Sequence, residues 1–318
     1  MKIISQLIYV EPNRKEGYNF GFFIKLYNRG TSNRVQLIGE CNNCGIVNTD
    51  NEAYKKTLWE IEHNGLICKK LQSKLECSAI IMPCFIRPMS KDGKDDIYTH
   101  MLTSQAIKTD IEPIKRVDRQ YVNMIISAKK VLSNLGFDVK DKIIMTGFSA
   151  SSKFALRFAL LYPELVSSVI AGGMSAVPCL PIKELDGEVL NYPLGVNDYQ
   201  ELMKKPFNKE KYKKIKQYLF MGDLDENDPV KYDDCVTEEE RQIIYKIYDE
   251  SIQKRWTKMV DIIKKLHLTN IHTYLIKGVA HSPQGIDSII DENLNYIIQL
   301  NATDLQNQND STAHHTLN

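Results

Sequence analysis

The chain has almost no excess of charge of either sign: Lys and Arg total 41 against 40 Asp and Glu. Holding a polyanion takes a positive surface, so nucleic acid is excluded as the expected ligand. Clusters such as Lys213-Lys214 read as solvated helix faces. Long apolar runs are lacking as well, and no stretch approaches the roughly 18 uninterrupted apolar residues that cross a bilayer. The opening MKIISQLIYV is followed by Glu11, Pro12, Asn13 and Arg14 with no small-residue cleavage site, so it reads as a strand and not as a signal peptide. A disulfide framework is missing too, because the seven cysteines are odd in number and run from Cys41 to Cys235 without repeated spacing. Cys41-Asn-Asn-Cys44 has CxxC spacing, but no second Cys or His pair completes a zinc site, so a turn is expected there and no metal. These absences together describe a soluble protein of a reducing compartment, the cytoplasm. The oligomeric state is left open, a homodimer included.

What is present is enough apolar residue for a sizeable core, 43% of 318 positions, and a change of rhythm along the chain. Ile3 to Val10, Asn19 to Leu26 and Arg34 to Glu40 are short runs separated by Gly, Asn and Pro, which predicts a small antiparallel start. Glu52 to Leu75 has apolar residues at helical spacing, with Gly65 as an interruption. From Ser78 the pattern alternates. Ser78 to Met82, Lys142 to Met145, Val166 to Ala171, Tyr218 to Met221 and Ile271 to Ile276 read as buried strands. Arg119 to Leu135, Ser151 to Leu161, Glu238 to Leu266 and Gln284 to Leu300 read as helices. Strands alternating with helices imply an α/β fold, a mostly parallel sheet covered on both faces. One domain is expected over residues 1–300. Within it, 175–216 is rich in Pro, Gly, Tyr and Lys and reads as a cap or pocket wall. The polar tail 301–318 is expected to be disordered.

The sharpest local signal is Thr146-Gly147-Phe148-Ser149-Ala150-Ser151, set between a strand and a helix. A serine exposed on such a turn adopts a strained backbone and needs small residues two positions before it and two after. Gly147 and Ser151 qualify, although the pattern is GxSxS and not GxSxG. The N-terminus of the following helix directs the Ala150 amide at charge developing on a substrate oxygen. A nucleophilic serine also needs a base. His281, in Lys277-Gly-Val-Ala-His281, follows a strand and precedes the last helix. His63, His267, His272, His314 and His315 lie in a helix, at a helix–strand junction or in the tail. Between serine and histidine, Gly222-Asp223-Leu224-Asp225-Glu226-Asn227-Asp228-Pro229 follows the strand Tyr218 to Met221 and offers acids that could orient the imidazole. A cation site of Asp223, Asp225 and Asp228 is a weaker reading, since hard cations take six or more oxygens and no EF-hand spacing appears.

With GFSAS, Gly222-x-x-Asp225 and Gly278-x-x-His281 in that order, the chain from about Ser78 to Leu300 resembles the α/β-hydrolases. The likeness is to bacterial hydrolases related to dienelactone hydrolase, prolyl oligopeptidase and polyester depolymerases. The resemblance implies a Ser–Asp–His triad that needs no cofactor. It selects Asp225 as the acid, with Asp228 second and Asp223 third. It also implies a second oxyanion donor after the strand Ser78 to Met82, which by position is the Phe85 amide, with Cys84 a buried neighbour. Arg87, Tyr98 and His100, and Tyr192 in Asn191-Tyr-Pro-Leu-Gly195, are candidates to line the pocket. The expected reaction is hydrolysis of a carboxylic ester on a small-molecule or acyl substrate. A peptidase or acyltransferase would use the same triad, and a non-catalytic member of the fold is the alternative from another class.

Overall fold

A computed structural model of the chain describes residues 3–63, 66–89 and 96–298. Its strands are β1 Ile4–Val10, β2 Phe22–Asn28, β3 Arg34–Gly39, β4 Cys77–Pro83, β5 Asp138–Val139, β6 Ile143–Phe148, β7 Val166–Gly172, β8 Glu184–Leu185, β9 Glu188–Val189, β10 Lys216–Gly222 and β11 Ile271–Ile276. Its helices are α1 Asp50–Glu62, α2 Ile67–Lys74, α3 Ser104–Lys108, α4 Val117–Asn134, α5 Ala150–Leu161, α6 Tyr199–Met203, α7 Lys209–Lys213, α8 Glu238–Ile247, α9 Ile252–Lys265 and α10 Ile286–Ile297. The main sheet runs β1-β2-β4-β3-β6-β7-β10-β11, with β5 beside β3. Pairing is antiparallel only for β1 with β2 and β2 with β4, and parallel from β4 onward.

The period of two along each central strand sends neighbouring residues to opposite faces. Leu37, Ile81, Met145, Val169 and Leu219 join one core layer with Tyr121 of α4, Phe154 and Phe158 of α5 and Met259 of α9. Ile38, Ile80, Ile144, Ile170 and Phe220 join the other with Ile61 of α1, Leu71 of α2 and Ile290 of α10. Burial on both faces is why these strands read as continuous apolar runs. A parallel sheet of this kind brings all its strand-to-helix turns to one edge, and that edge carries the residues discussed below.

Several expectations need correction. Arg34–Gly39 is not part of an antiparallel start: β3 crosses over through α1 and α2 to lie between β4 and β6, parallel to both. Two helices replace the one expected over Glu52 to Leu75. The first begins earlier because Thr49 and Glu52 form a reciprocal cap, while Gly65 lies outside the described residues. The stretch from Glu238 to Leu266 also divides, at Tyr248–Ser251. There the carbonyls of Asp249 and Glu250 turn to accept hydrogen bonds from the Arg255 guanidinium at 3.0 and 2.8 Å. Residues 175–216 form the β8–β9 hairpin and two short helices. This insertion is tied to the body by phenol groups: Tyr199 donates to the Leu161 carbonyl and Tyr192 to that of Leu102. The tail 301–318 lies outside the described residues.

Candidate active site

Ser149 stands alone between β6 and α5 with φ 60° and ψ −121°. A positive φ costs a residue with a Cβ roughly 1–3 kcal/mol, and local contacts hold it in place. The Ser149 amide donates to the Gly172 carbonyl of the adjacent strand at 2.9 Å. A Cβ on Gly147 would lie 2.3 Å from the carbonyl carbon of Ser151 and 2.5 Å from the Ser152 nitrogen, so only glycine fits. Ser151 explains the departure from GxSxG. Its hydroxyl donates to the Phe148 carbonyl and accepts from the Phe148 amide, each at 2.9 Å. It thereby satisfies the Phe148 amide and adds a second donor to the Phe148 carbonyl, contacts that a glycine would lack.

The loops after β10 and β11 meet over this turn. A Cβ on Gly222 would lie 2.0 Å from the Val279 carbonyl oxygen, and the Leu224 amide donates to that same oxygen at 3.0 Å. The close approach sets Asp225 beside His281, whose Nδ1 lies 2.9 Å from Oδ2 and 3.1 Å from Oδ1. Asp225 is buried, and its Oδ1 also accepts the Asn227 amide at 3.0 Å. The imidazole rests on the Phe148 ring, 4.7 Å between centroids, above Gly173, where a Cβ would lie 2.7 Å from Cε1. With Nδ1–H given to Asp225, Nε2 is an acceptor, and it accepts from Asn227 Nδ2 at 2.9 Å. Among the described residues no hydrogen bond joins Ser149 Oγ to Nε2.

The other two aspartates of the loop are engaged elsewhere. Asp228 forms a buried bidentate pair with Arg255 at 2.8 and 2.9 Å, and Asp223 Oδ1 accepts the Gly278 amide at 2.7 Å. The three carboxylates turn to three separate partners, and among the described residues no three ligating groups converge.

A cavity of ≈ 260 Å³ opens at Ser149, lined among others by Gly45, Tyr98, Ala150, Lys153, Tyr232 and Cys235. Arg87 also lines it, but its guanidinium is spoken for: it stacks 3.6 Å from the Tyr98 ring centroid and is paired with Asp96 and Asp234. Burial pushes the Cys235 thiol up to about 12, and Cys84 likewise, so neither is a thiolate at neutral pH.

Of the remaining candidates, Ala150 lies at the first turn of α5 and lines the cavity. Phe85, His100 and Tyr192 are not among the residues that line the cavity. The Phe85 ring is buried against Phe20 and Phe154, and its carbonyl accepts from His100 Nε2 at 2.8 Å. His100 is wholly buried, and burial pushes its pKa down to about 4, so it is a neutral packing residue. Tyr192, within the insertion, is buried with its hydroxyl on the Leu102 carbonyl, and no residue of 175–216 lines the cavity. The strand beside β6 is β3 and not β4. The loop after β3 therefore abuts the serine turn, with Asn43 Nδ2 donating to the Phe148 carbonyl at 3.1 Å and Gly45 at the cavity. Sequence reading missed Asn43, Gly45, Asn227 and Lys153. Only Lys153 carried a usable signal, a lysine in a helix whose every residue is buried.

No protein-family model matches the chain, and no curated protein matches it by sequence. Among solved structures it is similar to a ferulic acid esterase, with 10% identity over 93% of this chain and 98% of that one and a TM-score of 0.46. It is similar also to an S-formylglutathione hydrolase from Agrobacterium tumefaciens, at 13% identity, 94% and 99% coverage and a TM-score of 0.44. A third is FphF, a fluorophosphonate-binding serine hydrolase of Staphylococcus aureus, at 11% identity, 93% and 98% coverage and a TM-score of 0.45. The fold is assigned from the chain's own topology. Parallel strands covered on both faces, with a strained serine between the central strand β6 and helix α5, make this an α/β-hydrolase fold.

Proposed function

We propose that the chain is a serine hydrolase that cleaves a carboxylic ester, with Ser149 as nucleophile, His281 as general base and Asp225 as its orienting acid. The observation that carries the reading is the Asp225–His281 pair laid over Phe148, beside a serine held at φ 60°. Asp225 keeps the proton on Nδ1 and leaves the Nε2 lone pair free for chemistry. Nε2, once released by Asn227, takes the Ser149 Oγ proton as Oγ adds to the ester carbonyl. The oxyanion accepts from the Ala150 amide at the positive end of α5. The second donor is read from the Asn43–Gly45 loop after β3, in place of Phe85, because that loop borders the serine turn. Nε2–H then protonates the leaving alkoxide. A water, deprotonated by the same nitrogen, releases the acid from the acyl-enzyme.

Among the described residues no helix is long and apolar enough to cross a membrane. All seven cysteines are free and buried, which supports a cytoplasmic site of action. The continuity of the main sheet from β1 to β11 supports one catalytic domain over residues 1–300. The test is hydrolysis of p-nitrophenyl acetate and butyrate, together with fluorophosphonate labelling, for the wild type and Ser149→Ala. Activity and labelling that vanish in the variant establish the reading. Their absence from folded wild-type protein rejects it in favour of a non-catalytic member of the fold.

A further inference from the structure

The cavity at Ser149 is lined by a lysine that forms no ion pair among the described residues. Lys153 is only 4% exposed and lines the cavity one helical turn beyond Ser149. Among the described residues its ammonium makes no hydrogen bond and no ion pair. The carboxylates near it are already engaged, and Arg157 is a second buried cation. Both oxygens of Asp228 go to Arg255, Asp234 goes to Arg87, and Arg157 donates to the Met101 carbonyl at 2.9 Å. The Cys235 thiol is neutral.

The position is unfavourable in three ways. A buried ammonium loses hydration that nothing nearby replaces. It lies in the first turn of α5, where the aligned peptide dipoles present positive charge. Arg157 and Arg255 add like charge, and with burial as the larger cause the Lys153 pKa falls to about 8. A methionine or leucine would fill the same space without these costs. An uncompensated cation facing a cavity beside a nucleophile is the arrangement expected of a site whose counter-ion arrives with the ligand.

We propose that the substrate carries a carboxylate a few atoms from its scissile carbonyl and that Lys153 binds it. The inference rests on the esterase reading of Ser149. Four residues of helix separate the two positions by about 6 Å along the axis, so a short half-ester of a dicarboxylic acid spans from Oγ to the ammonium. At ≈ 260 Å³ the cavity is smaller than the roughly 300–1,000 Å³ of drug-sized ligand sites, which favours such a small acid. One unpaired lysine matches one carboxylate in charge. A phosphate dianion calls for further free donors, and Arg87, held between two aspartates, belongs to a cluster of net negative charge.

The experiment compares kcat/KM for mono-p-nitrophenyl glutarate, which has the carboxylate on the acyl half, with the neutral p-nitrophenyl butyrate. A third probe, 4-acetoxybenzoate, carries it on the alcohol half and is compared with phenyl acetate. The proteins are wild type, Lys153→Met and Lys153→Arg. The expected result is a preference for one anionic ester of about 10- to 100-fold over its neutral partner. That preference collapses in Lys153→Met, is partly kept in Lys153→Arg, and in wild type declines above about pH 8 as the ammonium is lost. Whichever anionic ester is preferred identifies the half that carries the charge. Neutral esters turned over with no anionic preference, or with a preference unchanged in Lys153→Met, overturn the inference and leave the esterase reading intact. If no ester is turned over, calorimetric titration of wild type and Lys153→Met with glutarate decides: binding lost in the variant keeps the anion site, and no binding to wild type overturns it. Should Lys153→Met fail to fold, inhibition of wild type by glutarate but not by glutaramide supports the site, and equal effects reject it.

Discussion

The loop after β10 divides into two regions that share composition and differ in work. In the first, Asp225 is buried against the His281 imidazole. In the second, Asp228, three residues on and also buried, is clamped by both arms of the Arg255 guanidinium. Asp225 faces the edge where β10 and β11 release their loops, and Asp228 faces inward to α9. Identical side chains thus become a catalytic candidate and a structural clamp through the partner that each meets. A third buried carboxyl, Glu40 at the end of β3, meets neither. It accepts from the Cys68 amide and the Thr146 hydroxyl at 2.8 Å each, pairs with no cation among the described residues, and burial pushes its pKa up to about 7.

The contrast can be broken or sharpened by substitution. The largest effect is expected of Asp225→Asn, which leaves the shape of the site but removes the charge that orients Nδ1–H. Ester kcat/KM falls about 10⁴-fold, and Ser149→Ala falls at least as far, with melting temperatures near that of wild type. A large loss of stability in Asp225→Asn instead would make it a clamp like its neighbour. Asp228→Asn inverts the pattern. It leaves the Arg255 guanidinium buried without its counter-charge and lowers unfolding free energy by about 3–5 kcal/mol, read by urea denaturation, while kcat of the folded fraction changes little. A 10⁴-fold loss of kcat there would reassign the acid.

Glu40 is expected to act through pH. Its folded pKa exceeds the ordinary value of 4.5, so the folded state holds the proton more tightly than the unfolded chain. The stability it contributes is full below about pH 4.5 and is lost as pH rises through about 7. Glu40→Gln should flatten that part of the stability profile; a profile that keeps its slope would point to another group. The smallest effect is expected of Asn227→Ala. Removing the amide that occupies Nε2 raises kcat/KM by about two- to fivefold, as one hydrogen bond's competition is relieved. A fall would mean that the amide assists the base.

Much of this was legible from residue types. The alternation of apolar strands and helices, and a glycine two positions before a serine at a strand-to-helix boundary, follow local rules that a sequence displays directly: two-fold and 3.6-fold periodicity, and the steric need for small residues at a strained turn. The order Ser149, Asp225, His281 was legible as well, though the choice among Asp223, Asp225 and Asp228 leaned on a family resemblance. The loop that borders the serine turn was not. Chain order suggested the segment after β4, whereas strand order in the sheet places β3 beside β6.

By itself, then, the sequence determined which segments become strands and helices and which serine can occupy a strained turn, because those depend on neighbours within a few residues. Only the tertiary structure decided that Asp225 meets an imidazole and Asp228 a guanidinium, that His100 and Tyr192 are packing residues, and that Lys153 lines the cavity with no ion pair among the described residues. Each of these is a matter of which distant group fills the space around a charge. In a low-dielectric interior, that neighbour and not the residue type sets whether a carboxylate or an ammonium is neutralised, clamped or left to meet a ligand.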